Sequence, residues 1–283
     1  MISTVLNTEI VAGLLPCRHE TDDKTGFGRL LCICGSDNMP GAAVLSCGGA
    51  LRSGAGLVTI ASTQSVCRAV SYAYPGAVLN RLSSADDGGI SPSCAQELSF
   101  DRYTAVLFGC GIGINEGGRA LLRTLLEKCA LPLIIDADGL NLLTEDMSLL
   151  KKAKCPIILT PHQRELARLL KGARLDSAKE LSKIYGITVV SKGAVTEIYG
   201  KKNYILDCPN SALAKGGSGD ILAGLISGLA SQGASPTDAA AAGVFVHSLA
   251  GRIAREMHTA RATLVTDILD EIGIAFSEIE GEE

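Results

Sequence analysis

Lys215-Gly216-Gly217-Ser218-Gly219-Asp220 runs directly into Ile221-Leu222-Ala223-Gly224-Leu225-Ile226-Ser227-Gly228-Leu229, and this junction decides the fold. Three glycines in four positions let the backbone turn tightly and approach a ligand with no Cβ between. The run that follows has helical spacing, with Ile221, Leu222, Leu225, Ile226 and Leu229 on one face. A glycine turn feeding a helix start gathers free backbone N–H groups at the positive end of the dipole, which suits phosphate or another anion. Asp220 falls in the first turn. An acid there can simply favour the dipole. It can also stand beside bound phosphate and take a proton from a reacting hydroxyl. The second role is favoured, because a plain cap needs no glycines.

Outward from this junction the chain alternates strands and helices. Arg29–Cys34 is a continuous apolar run, as expected of a strand buried on both faces, and Pro40 is placed to open a helix through Arg52. Strands follow at 57–60, 104–108, 133–135, 156–159 and 187–190, with helices expected over 116–129, just after Asp138, and over 161–170. Segments 195–199 and 203–207 predict an antiparallel hairpin around Gly200. Helices are expected over 3–15, 218–232, 236–257 and 264–279, and the segment 18–28 is polar and turn-rich. Such alternation implies a mostly parallel central sheet with helices on both faces, and ligands bind beyond the carboxyl ends of its strands. The unusual residues gather at those ends: Gly35–Gly41, Gly109–Gly113, Asp136–Asp138, Thr160–Glu165 and Lys192–Thr196. One crevice is implied. No Pro, Gly or Ser linker and no internal repeat interrupts the chain, so one domain over 1–283 is expected.

Composition removes several function classes. With 283 residues, 47% of them hydrophobic, the chain can bury one large core. The net charge of -4, with no basic run, argues against a nucleic-acid partner and gives no reason to expect a membrane surface. No apolar run reaches the length of a membrane span. The N-terminus shows no basic segment followed by an apolar stretch, so a cytoplasmic protein is expected. The ten cysteines lie mostly inside apolar runs without a Cys-x-x-Cys, which reads as buried reduced thiols.

The remaining motifs each have a plain and a chemical reading. Gly109-x-Gly111-x-Gly113 after a strand invites a dinucleotide loop, but Ile114 stands where Gly-x-Gly-x-x-Gly needs its last glycine. A glycine loop close to a ligand remains. Thr160-Pro161-His162-Gln163-Arg164-Glu165 places His162 and Glu165 on one helix face. Either Thr160 caps the helix with an acid in its first turn, or histidine and carboxylate face the crevice. His247 and His258 sit in Ala-rich helical stretches and read as core or surface; His19 carries no signal. Lys192 beside Gly193 and Ala194 either reaches solvent or meets a nucleotide, and the second is favoured beside anion-binding loops.

Taken together, several stretches resemble the bacterial ADP/ATP-dependent NAD(P)H-hydrate dehydratases, in order over about residues 25–270. They are Gly28–Ala43, Ala50–Val58, Asp136–Asp138, Thr160–His162, Lys192–Ala194 and Gly216–Gly224. The resemblance implies a ribokinase-like fold and repair of hydrated NADH or NADPH, the S-epimer being dehydrated at the expense of ADP or ATP. It implies Asp220 as base, with Ala42, Ala43, Gly113 and His162 lining the hydrate site. Lys192, Gly193, Ala194, Val195 and Thr196, with Gly216, Gly217, Ser218 and Gly219, would hold the adenine nucleotide. Glu165 would help to organise Mg²⁺, and a homotetramer is implied. Three departures stand out: Asp23-Lys24-Thr25 replaces a His-Lys-Gly, Lys215 replaces a Thr, and Asn210–Leu213 lacks a Gly-Met pair. An N-terminal epimerase domain, fused in some relatives, is not expected before Gly28. The rival readings are a small-molecule kinase of the same superfold, in which Asn typically stands at the position of His162, and a non-enzymatic nucleotide-binding regulator, in which Asp220 would be dispensable.

Overall fold

The computed structural model describes residues 3–19, 21 and 23–281. The polar segment 18–28 therefore includes two positions, 20 and 22, outside the described residues. Elements run in chain order as β1 (Thr4–Val5), α1 (Thr8–Ala12), β2 (Arg29–Ile33), α2 (Pro40–Arg52), β3 (Leu57–Ser62), α3 (Gln64–Ala73), β4 (Val78–Arg81), β5 (Ala105–Phe108) and α4 (Glu116–Lys128). The chain continues through β6 (Leu133–Ile135), α5 (Asp138–Glu145), β7 (Ile157–Leu159), α6 (Gln163–Ala173), α7 (Ala178–Tyr185), β8 (Thr188–Ser191), β9 (Val195–Tyr199) and β10 (Tyr204–Asp207). It ends in α8 (Ser218–Ser231), α9 (Pro236–Ala262), α10 (Val265–Asp270) and α11 (Ile272–Glu280).

The strands form one ten-stranded sheet, ordered β1-β10-β9-β8-β7-β6-β5-β2-β3-β4. Every pairing is parallel except those of β9 with β8 and with β10, which make the expected hairpin. Side chains alternate between two cores, one on each face. Leu30, Cys32, Leu107 and Ile134 enter the core shared with α2, α8 and α9. Leu31, Ile33, Phe108, Leu133 and Ile135 enter the core beneath α4, α5 and α6. Burial on both faces is why these strands read as unbroken apolar runs. Helix α8 lies at the centre of the first core and is buried almost throughout. It packs so closely on α2 that a Cβ at Gly224 would collide with the backbone carbonyl of Ser46.

Several expectations change. The helix expected over 3–15 shrinks to Thr8–Ala12, because Asn7 caps it, its Oδ1 accepting from Ile10 N at 2.8 Å. Thr4–Val5 instead extends the sheet beside β10, a pairing that only the folded edge can offer. The helix from Pro236 runs past 257 to Ala262, with a break at Thr259, where φ is 66°. The last expected helix divides into α10 and α11 at Glu271. Helices α3 and α7 and edge strand β4 have no counterpart among the sequence expectations.

Candidate active site

The carboxyl ends of β2, β5, β6, β7 and β8 converge on the N-terminus of α8. Asp136 directly follows β6 and is buried. Its Oδ1 accepts from Lys192 Nζ at 2.9 Å and from Thr160 Oγ1 at 2.8 Å. Lys192 follows β8, and its backbone N–H donates to the Pro161 carbonyl at 2.9 Å, tying that strand end to the loop after β7. Burial alone would push the Lys192 ammonium down, but the Asp136 carboxylate holds it above its usual range.

The glycine turn enters this pair directly. Gly217 has φ 93°, and a Cβ there would strike Leu45. Gly219, the second residue of α8, is different. A Cβ on it would stand 3.4 Å from Lys192 Nζ and 3.6 Å from Asp136 Oδ2, facing the crevice with no backbone in the way. No side chain caps the start of α8; the Ser218 N–H donates to the Lys215 carbonyl at 3.3 Å, and the next turn residue, Gly219, opens toward Lys192. Gly216 has open space beside it.

Asp220 completes the cluster. Its carboxylate, that of Asp136 and the Cys110 thiol have ligand atoms within 4.8 Å of one another. Burial, and then the negative charge of Asp136, raise the Asp220 pKa to about 7; a hydrogen bond from Cys110 and the Lys192 charge oppose the rise. An acid near 7 at the mouth of an anion-binding helix start can accept a proton from a hydroxyl. Cys110 itself is fully buried, its thiol pushed up by a hydrogen bond with Cys34 and by burial.

The remaining expected residues divide. Gly113 lies at the crevice end of the loop after β5, its N–H donating to Asp138 Oδ2 at 2.9 Å. Ala42, half-buried in the first turn of α2, packs against Gly111, whereas Ala43 is buried in the core beside Gly35. Gly193, Ala194 and Val195 form an exposed tip on the β8–β9 turn, and Thr196 Oγ1 donates to the Gly193 carbonyl at 3.2 Å.

His162 carries both of its readings at once. It stands at the rim with its side chain half exposed, bridged through the backbone to Lys192. It is also the N-cap of α6: Nδ1 accepts from Arg164 N at 3.1 Å, and Glu165 Oε2 accepts from His162 N at 2.9 Å, a complete capping box. The cap is therefore His162 and not Thr160, whose hydroxyl is committed to Asp136.

Glu165 is buried and raised above its usual range, first by burial; Lys192 opposes the rise and Asp136 adds to it. Carboxylate oxygens suit Mg²⁺ in general. Here Oε2 accepts from the His162 N–H at 2.9 Å and Oε1 lies 3.4 Å from His162 Nε2, so the cap fixes the orientation of the carboxylate.

Two residues of the cluster carry no assigned role in the sequence reading. Asp136 was visible as an acid ending a strand, but its ion pair with Lys192 required the β6–β8 neighbourhood. Cys110 counted among buried thiols, and only its position inside Gly109-Cys110-Gly111 hinted at the crevice.

A family model described as NAD(P)H-hydrate dehydratase matches residues 30–273. The chain belongs to the NAD(P)H-hydrate dehydratase family. A bifunctional NAD(P)H-hydrate repair enzyme Nnr from Moorella thermoacetica is 33% identical over 280 residues, covering 95% of this chain and 53% of that protein. The chain thus spans about half the length of the bifunctional relatives it matches. An ADP-dependent (S)-NAD(P)H-hydrate dehydratase from Neisseria meningitidis is 33% identical over 252 residues, covering 84% of this chain and 81% of that protein. The ADP/ATP-dependent NAD(P)H-hydrate dehydratase from Bacillus subtilis, co-crystallized with ATP/Mg²⁺, superposes with a TM-score of 0.83 at 29% identity, covering 99% of this chain and all of that one. The family's ribokinase-like fold is the one observed.

Proposed function

We propose that the chain restores NADH or NADPH from the S-epimer of its hydrate, using ADP or ATP as phosphate donor and releasing AMP or ADP with inorganic phosphate. The observation that carries this reading is Asp220, held near 7 in the first turn of a glycine-led helix that no side chain caps. The α8 first-turn N–H groups and Lys192 bind the phosphates of the nucleotide. Asp220 takes the proton from the hydrate's hydroxyl as its oxygen attacks the terminal phosphorus. The phosphorylated oxygen then leaves as phosphate, expelled by the ring nitrogen's lone pair, and the neighbouring ring carbon gives up a proton to solvent as the double bond re-forms. Phosphorylation turns a poor leaving group into a good one, so the chain supplies anion binding, a base and orientation. Gly113, Ala42 and His162 line the hydrate's side of the crevice, and Gly193, Ala194, Val195 and Thr196 the adenine nucleotide's side. Mg²⁺ would neutralise the phosphates.

The same reading carries one domain over 1–283 in a cytoplasmic homotetramer. Light scattering and cell fractionation check the oligomer and the compartment.

The decisive test mixes protein, NAD(P)H hydrate, Mg²⁺ and either nucleotide, and follows the reduced-nicotinamide absorbance together with phosphate release. Equal recovery of both is expected. A stable phosphoester product would identify a kinase instead, and nucleotide binding without turnover a regulator.

A further inference from the structure

His247 lies in the middle of α9, inside the Ala-rich core. It is 7% exposed, and burial, followed by the Lys192 charge, lowers its pKa to about 4, so the ring is neutral at neutral pH. Neutral imidazole in an apolar core is costly unless its nitrogens are satisfied. Its hydrogen bond runs to Ser218: Nε2 lies 3.1 Å from Ser218 Oγ. Ser218 is itself buried, and is the first residue of α8 after Gly217. An alanine or leucine would pack in this surrounding without a polar group to satisfy. This polar tie joins the middle of α9 to the first residue of the glycine-led helix, and a second, from Lys215 Nζ to the Arg261 carbonyl at 3.2 Å, holds the approach to the turn.

We propose that His247 is a positioning residue: through Ser218 it fixes the first turn of α8, so that the Gly219 and Asp220 N–H groups and the Asp220 carboxylate face the crevice in one arrangement. Gly216 and Gly217 give the turn little stiffness of their own. With the tie broken, the turn samples orientations in which its N–H groups do not converge on one anion. Nucleotide affinity and the reach of Asp220 should then fall together. This proposal rests on the reading of the α8 start as the nucleotide phosphate site.

The test uses four variants and ADP or ATP with Mg²⁺ as the calorimetric probe. His247→Phe keeps a ring of comparable bulk without nitrogens, and His247→Gln keeps a side-chain N–H. Ser218→Ala removes the partner, and the His247→Phe/Ser218→Ala double variant closes the cycle. His247→Phe and Ser218→Ala should each weaken nucleotide binding and lower kcat by about 3- to 10-fold, the worth of one hydrogen bond. His247→Gln should recover most of the loss. The double variant should be no worse than either single one, since both act through one tie. Wild-type binding in Ser218→Ala overturns the proposal even where His247→Phe does not fold. Additive losses, or a Gln variant as poor as the Phe one, also overturn it. Gly219→Val separates the two levels. If that variant binds nucleotide normally, the phosphate-site reading fails. If it loses binding while Ser218→Ala keeps it, only the positioning role fails.

Discussion

Lys192 Nζ lies 2.9 Å from Asp136 Oδ1, and the pair sits directly beneath the open side of Gly219. The ammonium proposed to meet a nucleotide phosphate is therefore already paired with a carboxylate that also presses on Asp220. On the proposed reading, incoming phosphate would compete with Asp136 for Lys192. A pair this buried contributes modestly in itself, but removing one partner leaves the other uncompensated.

Asp136→Asn should consequently cost about 3 kcal/mol or somewhat less, since Lys192 keeps some solvent contact. Chemical denaturation measures this. The same change removes the negative charge that raises Asp220, so the acid limb of the pH–rate profile should move to lower pH. An unmoved limb would separate Asp136 from the base.

Asp220 itself makes a prediction of definite sign. Its folded pKa of about 7 lies above the ordinary 3.8, so the fold binds a proton that the unfolded chain releases. Stability contributed by the protonated form is present below about 4 and is lost as pH rises towards 7. Asp220→Asn should therefore be more stable than the parent at pH 8, by up to about 4 kcal/mol. Turnover should fall by about 10²–10⁴-fold in the same variant, with nucleotide still bound. Melting curves at pH 5 and pH 8, beside steady-state kinetics, check both halves.

The two glycines of the turn should fail differently. Gly217→Val places a Cβ at φ 93° and against Leu45, which should cost about 1–3 kcal/mol of stability. Gly219→Val should leave the melting point near that of the parent while abolishing nucleotide binding, because its side chain fills only the crevice. Equal melting losses in both would contradict this division.

His162→Ala breaks the α6 capping box and should lower stability by about 0.5–2 kcal/mol. If the ring also contacts the hydrate, KM for the hydrate should rise while ADP affinity changes little. Lost stability with unchanged kinetic constants would leave His162 a cap alone.

Local chemistry by itself determined a good deal. Short apolar runs such as Arg29–Ile33 and Leu133–Ile135, bounded by turn residues, read as strands buried on both faces, and a parallel sheet has its ligands at their carboxyl ends. The glycines before Asp220 marked the helix start for the same local reason, and the crevice followed from where the glycines and acids cluster. Pairings across the sheet are decided elsewhere. That Asp136 neutralises Lys192, that Cys110 lies against Asp220, and that Ser218 is tied to His247 all join residues dozens of positions apart. The same holds for Thr4–Val5, which became a strand because β10 offered it an edge. Side-chain type and spacing set what each segment can do alone. Which charge meets which depends on strand order and on the close packing of α2 against α8, and these exist only once the two cores have closed.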